Sequence, residues 1–208
     1  MNTEFPKKVA DNVTMYAADP MVYVVHNFVS DLECKEFIDL SANHLEVATV
    51  NTAEGQVSHK NRTNRFAWLQ HNASDLLHEV SKRFSILVQM PIRNAEQFQV
   101  VHYGPGAEYK PHFDSFDENS ESGKQAWEPG GQRMITALLY LNDVEAGGAT
   151  HFPELGVSID PKKGDVLVFH NCLPESTIIH PRSLHAGMPV ESGEKWAANL
   201  WFRENLRY

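Results

Sequence analysis

The sequence predicts a mainly β domain, a barrel or double-sheet sandwich of short strands with flanking helices, and three observations carry that expectation. After Pro91, short apolar runs are separated by clusters of Gly, Pro and Asp, as antiparallel sheets joined by turns require. Before Pro91, two stretches place apolar residues at helical spacing. At 208 residues the chain can bury one substantial core but is short for two, and it carries neither an internal repeat nor a linker. The expectation is one domain, 1–208, in which residues 1–90 give helical and strand support with a lid loop and residues 91–208 form the β core.

The elements follow in chain order. Val22-Tyr23-Val24-Val25 is a β-branched strand. Ser30 then opens a helix, with Glu33 completing a capping box, and Cys34, Phe37, Ile38 and Leu45 recur on one buried face. Val29 is placed to staple against Cys34, which makes that cysteine a core residue and not a reactive thiol. Leu76, Val80, Phe84 and Leu87 mark a second helix that stops before Pro91. Between the helices, residues 51–64 are polar and aperiodic, and they read as a mobile loop. Strands are expected at 98–101, 134–141, 166–169 and 196–202. The Gly-, Ser- and Glu-rich stretch 115–132 reads as a long loop between two of them.

Composition excludes several function classes. Eighteen basic against twenty-seven acidic residues give a net charge of −9, which repels a phosphate backbone, so nucleic acid is not an expected partner. No run approaches the ~18–20 apolar residues that span a bilayer, and no N-terminal apolar run suggests a signal peptide. Cys34 and Cys172 are too few for a disulfide scaffold. A cytoplasmic protein is expected, without a membrane partner.

The eleven histidines make metal chemistry the question to test. Two His-x-acid motifs occur. On a strand, positions i and i+2 share a face, whereas on a helix they point about 200° apart. His44-Leu45-Glu46 falls at the end of the first helix and is a poor chelate. His112-Phe113-Asp114 follows the strand-like residues 97–103 and the turn Gly104-Pro105-Gly106, so its geometry is workable. By spacing alone a surface strand with two polar residues is the better reading. His185 adds weight, because Lys195 follows ten residues later at the head of an apolar strand. Two imidazoles and one carboxylate leave open positions on an ion, the arrangement of non-haem Fe(II) oxygenases. A lysine within such a strand asks for an anion, such as the far carboxylate of a 2-oxoacid. His151 at a turn, His170 at a strand end and His180 in a loop before Pro181 read as structural or exposed. His26, His59, His71, His78 and His102 lack a partner at strand spacing.

Five ordered motifs then resemble the Fe(II)- and 2-oxoglutarate-dependent prolyl 4-hydroxylases, over residues 22–203 or so. They run from Gln99-Val100-Val101-His102-Tyr103-Gly104-Pro105-Gly106 through Tyr109-Lys110-Pro111-His112-Phe113-Asp114 to residues 133–142. Gly147-Gly148-Ala149-Thr150-His151-Phe152-Pro153 and Pro161-Lys162-Lys163-Gly164-Asp165 come next. His185-Ala186-Gly187-Met188-Pro189-Val190, continuing through Lys195-Trp196, closes the set. The resemblance implies a double-stranded β-helix core of jelly-roll or cupin-like form. It implies hydroxylation of peptidyl proline at C4, with succinate and CO2 as co-products, Fe(II) as cofactor, 2-oxoglutarate as cosubstrate and ascorbate as reductant. His112, Asp114 and His185 would hold iron, and Lys195 the distal carboxylate of 2-oxoglutarate. Tyr103 and Thr150 would add hydroxyls, Trp201 would line the pocket, and Tyr109 would be an active-site tyrosine. Arg133 would serve catalysis and contact the peptide, as would Arg62 and Glu96 on the peptide side.

Three positions depart from the pattern. Met188 stands where the animal collagen-type enzymes often have cysteine, Arg203 where histidine is common, and Asn64 where serine is common. They leave the iron site intact and bear on peptide preference. Two other readings fit the same residues: oxygenase chemistry on a free amino acid or another side chain, and a cupin-like domain that binds metal without turnover. Residues 51–64 and 115–132 are placed to close over the site.

Overall fold

The computed structural model describes residues 4–47, 49–52, 55–58 and 63–207, the strands at 49–52 and 55–58 by backbone alone. The first strands are β1 (Lys7–Ala10), β2 (Val13–Ala18), β3 (Met21–Val25), β4 (Glu46–Val47), β5 (Thr49–Thr52), β6 (Gly55–Ser58) and β7 (Arg65–Leu69). The core strands follow as β8 (Phe98–Tyr103), β9 (Tyr109–His112), β10 (Arg133–Tyr140), β11 (Ala146–Gly147), β12 (Thr150–Phe152) and β13 (Val157–Ile159). The last are β14 (Val166–His170), β15 (His185–Gly187), β16 (Val190–Ser192) and β17 (Lys195–Arg203). Helices α1 (Asp31–Ala42), α2 (Asp75–Val88) and α3 (Glu121–Trp127) flank them.

A nine-stranded sheet runs β1-β2-β3-β14-β10-β17-β8-β7-β4, and a four-stranded sheet runs β13-β12-β15-β9. Alternation along the strands gives the large sheet two different faces. Val100, Ala137, Leu139, Val168, Ala198 and Leu200 pack on one face against Cys34 and Phe37 of α1 and Leu77, Val80 and Phe84 of α2. On the other, Val101, Leu138, Tyr140, Leu167, Phe169 and Ala197 meet Phe152 and Ile159 of the small sheet. The result is a jelly-roll core with helices buttressing one side. The long central strands are buried along most of their length because both of their faces are covered.

Helix α1 starts as its sequence dictates. The Ser30 hydroxyl accepts from the Glu33 backbone N–H at 3.3 Å, and the Glu33 carboxylate accepts from the Ser30 N–H at 2.8 Å. Arg83 of α2 donates to the same carboxylate at 2.7 Å and ties the helices together. Val29 and Cys34 lie in one core cluster, as the staple requires. The helix is shorter than its apolar spacing suggests. It ends at Ala42, where the N–H groups of Asn43 and His44 both turn back to the Ser41 carbonyl. His44 and Glu46 are exposed and do not form a chelate. In α2 the buried stripe is Leu77, Val80, Phe84 and Val88, with Leu76 and Leu87 at its margins. Gln89 ends it in the left-handed region at φ 55°, just before Pro91.

Two loop expectations need correction. Residues 115–132 contain α3, capped by the Ser120 hydroxyl, which accepts from the Gly123 N–H at 3.0 Å. Within 51–64, β5 and β6 pair as a hairpin, while residues 53–54 and 59–62 lie outside the described residues. His151 is also displaced from expectation. The turn is taken earlier, by Gly147 and Gly148 at φ 74° and 71°, so His151 sits within β12. No helix among the described residues is long and apolar enough to cross a membrane.

Candidate active site

The pairing of β9 with β15 places His185 directly opposite His112. Strand β9 ends at His112, and the chain bends at Asp114 and Ser115, so the spacing works by a strand end and a bend instead of by strand alternation. Asp114 thereby reaches back toward both imidazoles. Its Oδ1 lies 3.6 Å from His112 Nε2 and its Oδ2 lies 3.7 Å from His185 Nε2. All three ligand atoms fall within 4.8 Å of one another.

The outer contacts orient these groups for a metal. His112 Nδ1 is 2.8 Å from the Lys110 carbonyl and His185 Nδ1 is 3.0 Å from the Ser183 carbonyl. A carbonyl can only accept, so Nδ1 carries the proton and the Nε2 lone pair of each ring faces the site. Tyr109 stacks on the His112 ring at 3.5 Å, and Phe152 and Phe169 flank His185. The Thr136 hydroxyl donates to Asp114 Oδ2 at 2.7 Å, and the Asn171 amide donates to that hydroxyl at 2.9 Å. Burial would raise the Asp114 carboxyl, but His185, His112 and Arg133 outweigh it and hold the group well below the usual carboxylate range. Burial, with His112 alongside, brings His185 down to about 4, which keeps it neutral at pH 7. Two imidazoles and a carboxylate, with open space beside them, fit ferrous iron.

A cavity of about 170 Å³ adjoins the triad, and Tyr103, Thr150, Lys195, Asn199, Trp201 and Arg133 line it. Register explains the set. Strand β8 pairs with β17 at Tyr103↔Lys195 and Gln99↔Asn199, and β17 with β10 at Trp201↔Thr136, so alternate residues of three strands share this face. Lys195 is 3% exposed, and its ammonium donates to the Gly148 carbonyl at 2.6 Å. The Tyr103 and Tyr140 rings lie 5.6 and 5.5 Å from its Nζ. Burial pulls its pKa down to about 8. Thr150 accepts from the Tyr140 hydroxyl at 2.8 Å. The Trp201 indole Nε1 is buried and has no hydrogen-bond partner among the described residues. Buried cation, hydroxyls and indole fit a small dianion beside the metal.

The remaining expected residues separate. Arg133 lines the cavity, lies flat on Trp201 at 3.7 Å and pairs in bidentate fashion with Glu96 at 2.7 and 2.8 Å. Glu96 is buried and bonds Arg203 as well, so its carboxylate is engaged inside the fold and not on a peptide-facing surface. Arg62 and His59 lie outside the described residues. Five of the other histidines have side-chain partners: His26 with Asp165, His71 with Ser81, His102 with Glu194, His151 with Ser158 and His180 with Asp19. Thr136, Asn171 and Tyr140 escaped the sequence reading. Thr136 had a usable signal, since a hydroxyl inside a wholly apolar run must find a buried partner.

A sequence model of the 2OG-Fe(II) oxygenase superfamily matches residues 98–203. Prolyl 4-hydroxylase 5 of Arabidopsis thaliana is 35% identical over 213 residues, covering 91% of this chain and 70% of that protein. Among solved structures, the viral collagen prolyl hydroxylase of Paramecium Bursaria Chlorella virus-1, in its 2OG complex, is similar at 29% identity. Its TM-score is 0.70, with 88% of this chain and 95% of that chain covered. A Trichoplax adhaerens prolyl hydroxylase in complex with a hypoxia inducible factor peptide fragment shares the fold. It is 19% identical, with a TM-score of 0.65 over 88% of this chain and 83% of that one.

Proposed function

Because this chain belongs to the 2OG-Fe(II) oxygenase superfamily and, within it, to the prolyl 4-hydroxylases, we propose that it hydroxylates peptidyl proline at C4. The reaction consumes dioxygen and 2-oxoglutarate: one oxygen atom enters the C–H bond, the other enters succinate, and CO2 leaves. The observation that carries this reading is the convergence of His112, Asp114 and His185 on one point beside a cavity holding a buried lysine.

Ferrous iron with 2-oxoglutarate supplies, when bound, the oxidising power that an unactivated C–H bond demands and no side chain possesses. The chain's own residues do the rest. His112, Asp114 and His185 hold the metal from one side, and Thr136 keeps Asp114 from rotating. The Lys195 ammonium, shielded from water, takes the distal carboxylate of the cosubstrate and so orients it; Thr150 and Tyr103 lie within the same wall. Tyr109 locks the His112 ring by stacking. Trp201 and Arg133 form the wall over which a prolyl ring would sit, and Arg133 keeps its guanidinium on that wall through Glu96.

The test is 2-oxoglutarate consumption with Fe(II), ascorbate and a panel of proline-containing peptides, read together with peptide mass. A gain of one oxygen, recovered as 4-hydroxyproline on hydrolysis, is the expected result. Consumption that no proline peptide stimulates would overturn the reading.

A further inference from the structure

Arg203 is 3% exposed at the end of β17, and its guanidinium is filled from every side. Nε donates to the Gly131 carbonyl at 2.8 Å, and Nη2 donates to the carbonyls of Ala126 and Trp127, both at 2.8 Å. Nη1 donates to Glu96 Oε1 at 3.1 Å. That same oxygen accepts from Arg133 Nε at 2.7 Å. The Phe116 ring lies beside both arginines, 4.7 Å from the guanidinium carbon of Arg203 and 4.8 Å from that of Arg133. The neck of the segment is closed separately: Gln132 exchanges hydrogen bonds with both the N–H and the carbonyl of Phe116, at 2.7 and 2.9 Å.

We propose that Arg203 is a positioning residue for the hydroxylation site. It fixes residues 116–131 in place and, through Glu96 and Phe116, holds Arg133 against Trp201. The geometry explains why an arginine is needed. Glu96 accepts from both guanidiniums. The carbonyls of Ala126 and Trp127 at the C-terminal end of α3, and that of Gly131, accept the remaining Arg203 N–H groups. A planar fork reaches all of them and Glu96 at once, whereas a lysine ammonium at the same place reaches one or two. The helix has only seven residues and includes Gly123, so it owes its order to this clamp and not to its own propensity.

The proposal rests on the prolyl hydroxylation reading for its kinetic arm only; its structural arm is independent of any substrate. Hydrogen exchange and steady-state kinetics of Arg203→Ala and Arg203→Lys test both. The expected result is exchange of the 117–127 amides at least about tenfold faster in Arg203→Ala, with α1 and α2 unaffected. Peptide KM should rise about fivefold or more while the 2-oxoglutarate KM stays within about twofold, and Arg203→Lys should fall between. If Arg203→Ala does not fold, Arg203→Lys carries both measurements. Unchanged exchange in the folded variants overturns the clamp. Equal rises in both KM values show general destabilisation and overturn the positioning role. A wild-type chain that hydroxylates no proline peptide defeats the functional reading and leaves the exchange result to stand or fall alone.

Discussion

Replacing Lys195 by methionine should make the empty enzyme more stable and the working enzyme worse. The ammonium is 3% exposed, with the Gly148 carbonyl at 2.6 Å as its hydrogen-bond acceptor, and burial lowers its pKa from 10.5 to about 8. At about 1.4 kcal/mol per pH unit, that difference means the charged form costs the ligand-free fold about 3 kcal/mol at neutral pH. Methionine has similar volume and no charge, so it removes this cost but leaves the Gly148 carbonyl without a donor, a loss of about 1–2 kcal/mol. The net expectation is a gain of about 1–2 kcal/mol in urea unfolding without metal or cosubstrate at pH 7. The sign with pH follows from proton linkage. Between pH 8 and 10.5 the unfolded chain binds the lysine proton and the folded chain has released it, so wild-type stability rises with pH there. The advantage of methionine should shrink across that window. Binding should move the other way. Losing a charge-assisted hydrogen bond to a carboxylate costs about 1.5–3 kcal/mol, or about 10- to 150-fold in Kd for 2-oxoglutarate, measured by calorimetry with Mn(II) replacing iron. A destabilised variant whose difference from wild type is flat in pH would refute the burial argument. Unchanged 2-oxoglutarate affinity would refute the assignment of Lys195.

Three further outcomes are expected. Wild-type affinity for 2-oxoglutarate should weaken by up to about tenfold per pH unit above about 8, as Lys195 loses its proton in the free enzyme, while methionine at 195 should flatten that profile. Thr136→Val keeps shape but removes the donor to Asp114, and metal titration should show affinity about 10- to 100-fold lower with little change in fold. Phe37→Ala empties a fully buried site between α1 and the large sheet and should cost about 3–5 kcal/mol in denaturant unfolding, without altering metal affinity in the folded fraction.

What could be read from the sequence divides by where each residue finds its partner. The Ser30–Glu33 box needs only residues three apart, and the strands near 134–141, 166–169 and 196–202 declare themselves because both faces are covered. Strand β1 is exposed along its whole length, and β2 and β7 mix exposed and buried positions without a long apolar run, so they gave no comparable signal. Helix α3 is invisible locally because Arg203, more than seventy positions away, holds it. The site shows the same division. His112 and Asp114 stand two apart and could be paired on paper, but Asp114's hydroxyl partner is Thr136, 22 residues on, and Thr136's amide partner is Asn171, 35 further. Glu96 is the sharpest case: an acid at the start of an apolar strand reads as a surface group, and only the fold brings Arg133 and Arg203 to it from 37 and 107 residues away. The metal-binding atoms were therefore legible as chemistry, whereas the groups that aim them were not, because aim is set by contacts between strands whose order the chain does not spell out. Substitutions at Thr136, Glu96 and Arg203 should accordingly act on the reaction from positions that no spacing rule would single out.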